Sequence, residues 1–225
     1  ALTTESLPAL RAYLDGERLY RQSRFEQAVG PLERAVALDS TFAMAHLRLA
    51  DAYFSTPPTA ISDQVAAMIA VREHLRAADR HGDRIPPRER ALLEASMAIT
   101  LEGDRPTSAD ILRAAVQRFP TDPELWARYS QNLTSPIVER HVGAEPIGGM
   151  QQAARRALAL DSTMTPAYLP LIAPAIGQGD TTTARRLMAA YDRHAGRGRA
   201  SRKMDSFEAA LDLAYGDSAR QAAVL

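Results

Sequence analysis

The sequence has no cysteine. Disulfides, thiolate zinc sites and cysteine nucleophiles are therefore excluded together, and the compartment stays open, because a chain without thiols suits reducing and oxidising surroundings alike. Aromatic residues make up only 6% of the chain, with one tryptophan, and alternating apolar patterns are short, so there is little material for strands. Charge of one sign is missing too. Twenty-seven basic and 27 acidic side chains cancel, which leaves no whole-molecule field to draw in nucleic acid or an anionic membrane. Lys203 is the only lysine. The longest apolar stretch, AYLPLIAPAI from Ala167 to Ile176, holds two prolines and falls well short of the roughly 20 residues a membrane helix needs. No charged-then-apolar leader opens the chain, and Ala1 is not an initiator methionine, so the expectation is a piece excised from a longer protein.

What is present is rich in Ala, Leu, Arg and Glu, in segments separated by brief Gly, Pro or Asp breaks, and this predicts an all-α chain. Helix starts are expected at Thr4 before Glu5, Pro87 with Glu89, Asp122-Pro123, Glu145-Pro146 and Thr181 to Thr183. Ends are expected at Gly103, Gly179, Gly196 and Gly216. Helices of about 12 to 16 residues are marginal alone in water, so they must stack to persist. The breaks keep a rhythm: polar turns fall at Ser23-Arg24, Gly103-Asp104, Gly179-Asp180 and Gly216-Asp217. The first two intervals are about twice the third, which gives a helix pair of about 34 to 40 residues as the unit. Two octapeptides nearly coincide, RAVALDST at Arg34–Thr41 and RALALDST at Arg156–Thr163. Their separation is close to three such units plus two insertions, so they read as joints between units rather than as a motif carrying chemistry.

Six segments resemble tetratricopeptide repeats, in which the first helix of a pair carries bulky, small and aromatic residues in order and the second carries a small-large-small row. First helices show His46, Leu49, Ala50 and Tyr53, then Trp126, Tyr129, Ser130 and Leu133, then Tyr168, Leu171, Ile172 and Ala175. Second helices show Phe25, Ala28, Leu32 and Ala35, and Ser108, Leu112 and Ala115. The resemblance covers nearly the whole chain. It implies a right-handed α-solenoid of antiparallel helix pairs, about five and a half repeats in one array over 1–225, with units near 6–40, 42–84, 87–121, 122–162, 164–197 and 200–225. Ile172 stands where the family prefers a small residue, and Pro170 and Pro174 fall inside that helix, so a kinked or shortened helix is expected there. The helix from about Thr59 to Ala78 is long for the family, and Ile137–Gly149 is an insertion. The last unit stops at Ala222–Leu225 without the polar helix that caps a solenoid end. Self-association through that C-terminal repeat is therefore an alternative reading.

Catalytic patterns are sparse. The five histidines, His46, His74, His81, His141 and His194, form no HExxH, and each reads as a structural or surface residue. No nucleophile elbow, phosphate loop or kinase HRD or DFG occurs, and GQGD at Gly177–Asp180 reads as a turn within a helix pair. The chain is thus expected not to be an enzyme and to need no cofactor or metal. The basic cluster HAGRGRASRK, His194–Lys203, lacks interleaved aromatics and reads as a loop near a helix C-terminus rather than a nucleic-acid site.

By the resemblance, function lies in the groove lined by the first helices, where peptides or partner segments lie. The helical stripe puts Tyr13, Glu17, Tyr20, Arg21, Leu47, Asp51, Phe54, Leu93, Met97, Ala127, Gln131 and Thr134 on that surface, a mix of apolar and hydrogen-bonding groups suited to a peptide. The family's carboxylate clamp uses Lys and Asn in the first helices, and Tyr13 and Glu17 stand in the matching places here, which disfavours that role. LTTESLPALRAYLDGERLYRQSRFEQAVGPLERAVALDS and IPPRERALLEA resemble repeat regions that follow bacterial serine/threonine kinase domains or winged-helix regulators. The implied role is a sensory or scaffolding part of a signalling protein, in the cytoplasm or on the outer side of a membrane-anchored kinase. A structural segment of a longer solenoid, or a helical-repeat enzyme or nucleic-acid binder using 137–149 or 194–203, are the alternatives.

Overall fold

The structure is a computed structural model that describes residues 3–56, 61–133, 146–195 and 200–216. Among these residues there are eleven α-helices, two single turns of 3-10 helix and no strand. Their contacts divide the chain into two compact units, 1–120 and 121–225.

Unit 1 holds three helix pairs: α1 (Leu7–Arg21) with α2 (Phe25–Leu38), α3 (Ala43–Ser55) with α4 (Ile61–Arg80), and α5 (Pro87–Thr100) with α6 (Arg105–Arg118). Only a few residues separate the members of each pair, and the members lie side by side, so they run antiparallel. Ser6, two residues after the expected start at Thr4, caps α1 by accepting from Ala9 N at 3.3 Å. Thr4 is used elsewhere, its hydroxyl donating to Asp39 Oδ2 at 2.5 Å. Gly103 takes a positive φ of 71°, which only a residue without Cβ adopts cheaply. Asp104 then caps α6 by accepting from Thr107 N at 3.0 Å. Between α1 and α2 the crossing is close enough that a Cβ on Gly16 would stand 2.5 Å from Leu32 Cγ. Ala9, Ala12, Ala28 and Ala35 line that crossing, and Leu32 fills it; burying such a side chain contributes about 1.5–3 kcal/mol.

Unit 2 holds α7 (Pro123–Asn132) with α8 (Pro146–Leu160), α9 (Leu169–Gly177) with α10 (Thr181–His194), and α11 (Ala200–Tyr215). Asp122 caps α7 through Leu125 N at 2.9 Å. For α10 the cap is Asp180 rather than the threonines that follow, with Thr183 N donating at 2.9 Å. A 3-10 turn at Thr165–Ala167 precedes α9, which is nine residues long with Pro174 inside it. This is the shortening expected from the two prolines. Tyr168, Ile172, Ala184, Met188, Tyr191 and Leu211 form the core around it, and Tyr215 of α11 donates to the Ile176 carbonyl of α9 at 2.9 Å.

The repeated octapeptides form the same joint twice. Asp39 Oδ1 accepts from Thr41 N and Oγ1 at 2.9 and 2.7 Å, and Asp161 Oδ1 accepts from Thr163 N and Oγ1 at 2.8 and 2.7 Å. Ala35 and Ala157 are fully buried. The Ser40 carbonyl meets His46 Nε2 at 3.0 Å, and the Ser162 carbonyl accepts from the Tyr168 hydroxyl at 2.8 Å. In both joints a ring six residues downstream closes the turn. The fold is thus all-α, built of helix pairs stacked in the α-solenoid manner within each unit.

Candidate functional site

In unit 1 the first helices of the first two pairs, α1 and α3, share one face, and a buried ion cluster welds them. Arg48 of α3 is 5% exposed. Its Nε lies 2.7 Å from Glu17 Oε2 of α1, its Nη2 donates to Glu17 Oε1 at 3.4 Å, and its Nη1 donates to Asp51 Oδ2 at 3.5 Å. The 2.7 Å approach is a charge contact without an aligned hydrogen bond, for Oε2 has none; Oε1 is better served, accepting from Arg21 Nε at 2.8 Å. The guanidinium also lies over the Tyr20 ring, 4.4 Å from its centroid, an arrangement the ring quadrupole favours. Two carboxylates around one arginine offset much of the cost of taking these charges out of water, so the cluster holds a fixed polar base between α1 and α3.

Around this base two side chains reach outward. The Arg21 side chain is 76% exposed although its Nε is tethered to Glu17, and Phe54, one turn beyond Asp51 on α3, is 57% exposed. Tyr20 is half-buried. The α1–α3 face therefore presents a cation with spare donors and an aromatic surface on a rigid support.

The other positions expected on the groove divide differently. Tyr13, Leu47 and Leu93 are core side chains. Tyr13 packs against Phe42 with ring centroids 5.0 Å apart. The expectation that these three are exposed is corrected, because the helices pack closely enough to enclose that edge of the stripe. Glu17 and Asp51 are buried as well and committed to Arg48. Met97 is half-buried on α5. In unit 2, Ala127 is buried, while half-buried Gln131 donates to the Pro166 carbonyl at 3.5 Å. Thr134 lies outside the described residues, as do most of the 137–149 insertion and residues 196–199 of the basic cluster.

Arg48 was not among the groove candidates, although its signal is in the sequence. In AMAHLRLADAYFS, apolar on every face of the helix, only His46, Arg48 and Asp51 are strongly polar, and polar groups in such a helix must find buried partners. His46 and His74 are such partners, with Nδ1 to Nδ1 at 2.9 Å. Because His46 Nε2 faces a carbonyl, which only accepts, it carries a proton. Its Nδ1 is then the acceptor and His74 Nδ1–H the donor. Tyr53 stacks on His74 at 6.0 Å and 8°, and its hydroxyl donates to Glu33 at 2.5 Å; burial and that carboxylate push the phenol pKa up. Among the described residues no three His, Asp or Glu side chains converge as a metal site would require, and no helix is long and apolar enough to cross a membrane.

No protein-family model and no curated protein sequence matches the chain. Solved structures resemble it in fold. YrrB, described as a TPR protein with an unusual peptide-binding site, has 13% identity over 88% of this chain and 92% of its own, with a TM-score of 0.42. PilF of Pseudomonas aeruginosa has 17% identity over 96% and 88%, with a TM-score of 0.47. The TPR2AB domain of yeast Sti1, solved with pHSP90, has 15% identity over 91% and 85%, also with a TM-score of 0.47. These are likenesses of fold; the helix-pair architecture itself is read from the packing of α1 to α11.

Proposed function

We propose that this chain is a protein-interaction module, one repeat array that holds a peptide segment of a partner on the first-helix face of unit 1, as the regulatory or scaffolding part of a larger signalling protein. The observation that supports it is that Arg21 on α1 and Phe54 on α3 are both exposed, each one turn from a member of the buried Arg48–Glu17–Asp51 cluster. Arginine and large aromatic side chains are enriched among the residues that carry most of the binding energy at protein interfaces. The rigid base lowers the ordering cost of binding. Phe54 would take an apolar side chain of the partner and Arg21 a carbonyl or carboxylate next to it.

A photo-crosslinking amino acid in place of Phe54 tests this reading against the same group in place of Val65, an exposed residue of α4. The reading expects a discrete protein adduct from position 54 that disappears when Arg21→Glu is added, with none from position 65. The same adducts from both positions, or indifference to Arg21, would sink it. Self-association is a second reading, supported by exposed Leu213 on α11. Sedimentation of Leu213→Glu would then show loss of an oligomer that the unaltered chain forms.

A further inference from the structure

Unit 2 carries a recess of about 530 Å³ between its second helices, α8 and α10, with α9 as the floor. Its origin lies in the sequence. α9 is nine residues long where α8 has fifteen, so at 1.5 Å per residue it runs about 9 Å shorter. Small Ala159 and Ala175 keep the lining low, and Leu171 gives it an apolar base.

The polar lining has an excess of positive charge. Arg155 projects from α8 and Arg186 from α10, both exposed. Arg155 is braced by its bond to Gln151 Oε1, 3.2 Å away. One carboxylate, Asp180, also lines the recess; its Oδ1 accepts from the Thr183 amide that it caps and its charge is felt by Arg186, so the two arginines leave one positive charge in excess. Along α8 the lining runs from Gln151 to Ala159, about 12 Å of helix, the length of three or four extended peptide residues. Gln151 and Gln178 add side-chain amides that can pair with a peptide backbone.

We propose that this recess is a second binding site, separate from the α1–α3 face, for an extended acidic peptide segment of a partner: an aliphatic side chain rests on Leu171 and Ala175, and neighbouring Asp or Glu carboxylates pair with Arg155 and Arg186. The charged walls of the site stand on the second helices α8 and α10, and the site lies within unit 2, so it does not depend on the reading of the α1–α3 face. Planar guanidinium groups suit carboxylates through paired hydrogen bonds. The open form of the recess suits a peptide lying across it better than a small anion, which would leave the apolar floor uncovered.

The probe is the acetylated tetrapeptide Leu-Glu-Leu-Asp, titrated into the isotope-labelled full chain and followed by amide NMR shifts. Its neutral counterpart Leu-Gln-Leu-Asn and inorganic phosphate are matched for ionic strength. The expected result is shifts confined to 151–159 and 171–187, weakened by salt. Binding falls by about tenfold or more for the neutral peptide and for Arg155→Glu with Arg186→Glu, the scale of a lost charge-assisted hydrogen bond. Ala159→Trp, which fills the recess while leaving both arginines in place, should abolish it. All three positions are exposed, and a melting curve confirms that each variant folds. Equal binding by the arginine or tryptophan variants, an equal response to phosphate, or shifts clustered on α1 and α3 would overturn the proposal. The last outcome would leave the first-helix reading standing.

Discussion

At Gly16 two opposing effects meet in one side chain. Glycine inside a helix costs about 0.5–1 kcal/mol relative to alanine, so α1 would gain from a methyl group. That methyl would lie 2.5 Å from Leu32 Cγ and 2.8 Å from Cδ2, and overpacking of this kind costs about 1–3 kcal/mol. The packing effect is the larger, because Leu32 is fully buried and Cγ is a branch point rather than a flexible tip. Gly16→Ala is therefore expected to lower stability by about 1 kcal/mol net, read as a lower midpoint in thermal or urea unfolding. A raised midpoint would show that α1 and α2 are free to separate. The need for small residues at helix crossings was legible in Ala28 and Ala35, which flank Leu32 in a small-large-small row along α2. Which glycine made the closest approach was not legible, because that depends on where Leu32 sits across the pair.

Between elements, the joining of α3 to α4 contains a titratable contact. Burial lowers the pKa of both His46 and His74 below the ordinary 6.5. For His46 the Ser40 carbonyl and Asp39 oppose this, while His81 and Arg80 add to it. For His74 its neighbour His46 adds, and Glu73 and Glu33 oppose. A histidine with a lowered folded pKa binds fewer protons folded than unfolded, so its contribution is whole above pH 6.5 and fades as the pH falls through that value towards the folded pKa. Protonating both rings also removes the only acceptor in the Nδ1 contact. The midpoint of thermal unfolding should fall between about pH 7 and pH 5, and fall less steeply in His46→Leu with His74→Phe, which lacks both titrating groups. Equal slopes would mean that the pair does not set the acid sensitivity. His46 was recognisable in sequence as a packing residue of a first helix. Its pairing with His74 was hidden, because the two are brought together by the angle between α3 and α4.

At the scale of the whole molecule, residues 1–120 and 121–225 are separate compact units, each with its own core, around Leu32, Phe42 and Leu49 in one and around Ile172, Met188 and Leu211 in the other. In helical-repeat chains each pair is stabilised chiefly by its nearest neighbours, so most of what stabilises unit 1 lies inside it. A chain ending at Pro120 is expected to keep a helical circular-dichroism spectrum and to unfold in one cooperative transition. A broad, non-cooperative melt would show that unit 1 needs residues beyond 120.

The sequence by itself determined the helical class, the pairing of helices and most of their limits. These follow from local chemistry: Asp122 and Asp104 as caps, Gly103 and Gly179 at positive φ, Pro123 in a first turn, and a joint written twice as RA[VL]ALDST. It also determined that α9 would be short, since Pro170 and Pro174 act within their own turns. Tertiary structure decided which stripe residues face outward. Tyr13, Leu47 and Leu93 were placed on the surface by helical periodicity and are enclosed by neighbouring helices, while Arg21 and Phe54 are left exposed. It alone produced the Arg48–Glu17–Asp51 cluster, the His46–His74 pair and the recess over α9. The physical reason is the same in each case. A periodic pattern fixes the direction in which a side chain leaves its own helix, whereas burial, pairing and empty space depend on how far away the next helix stands.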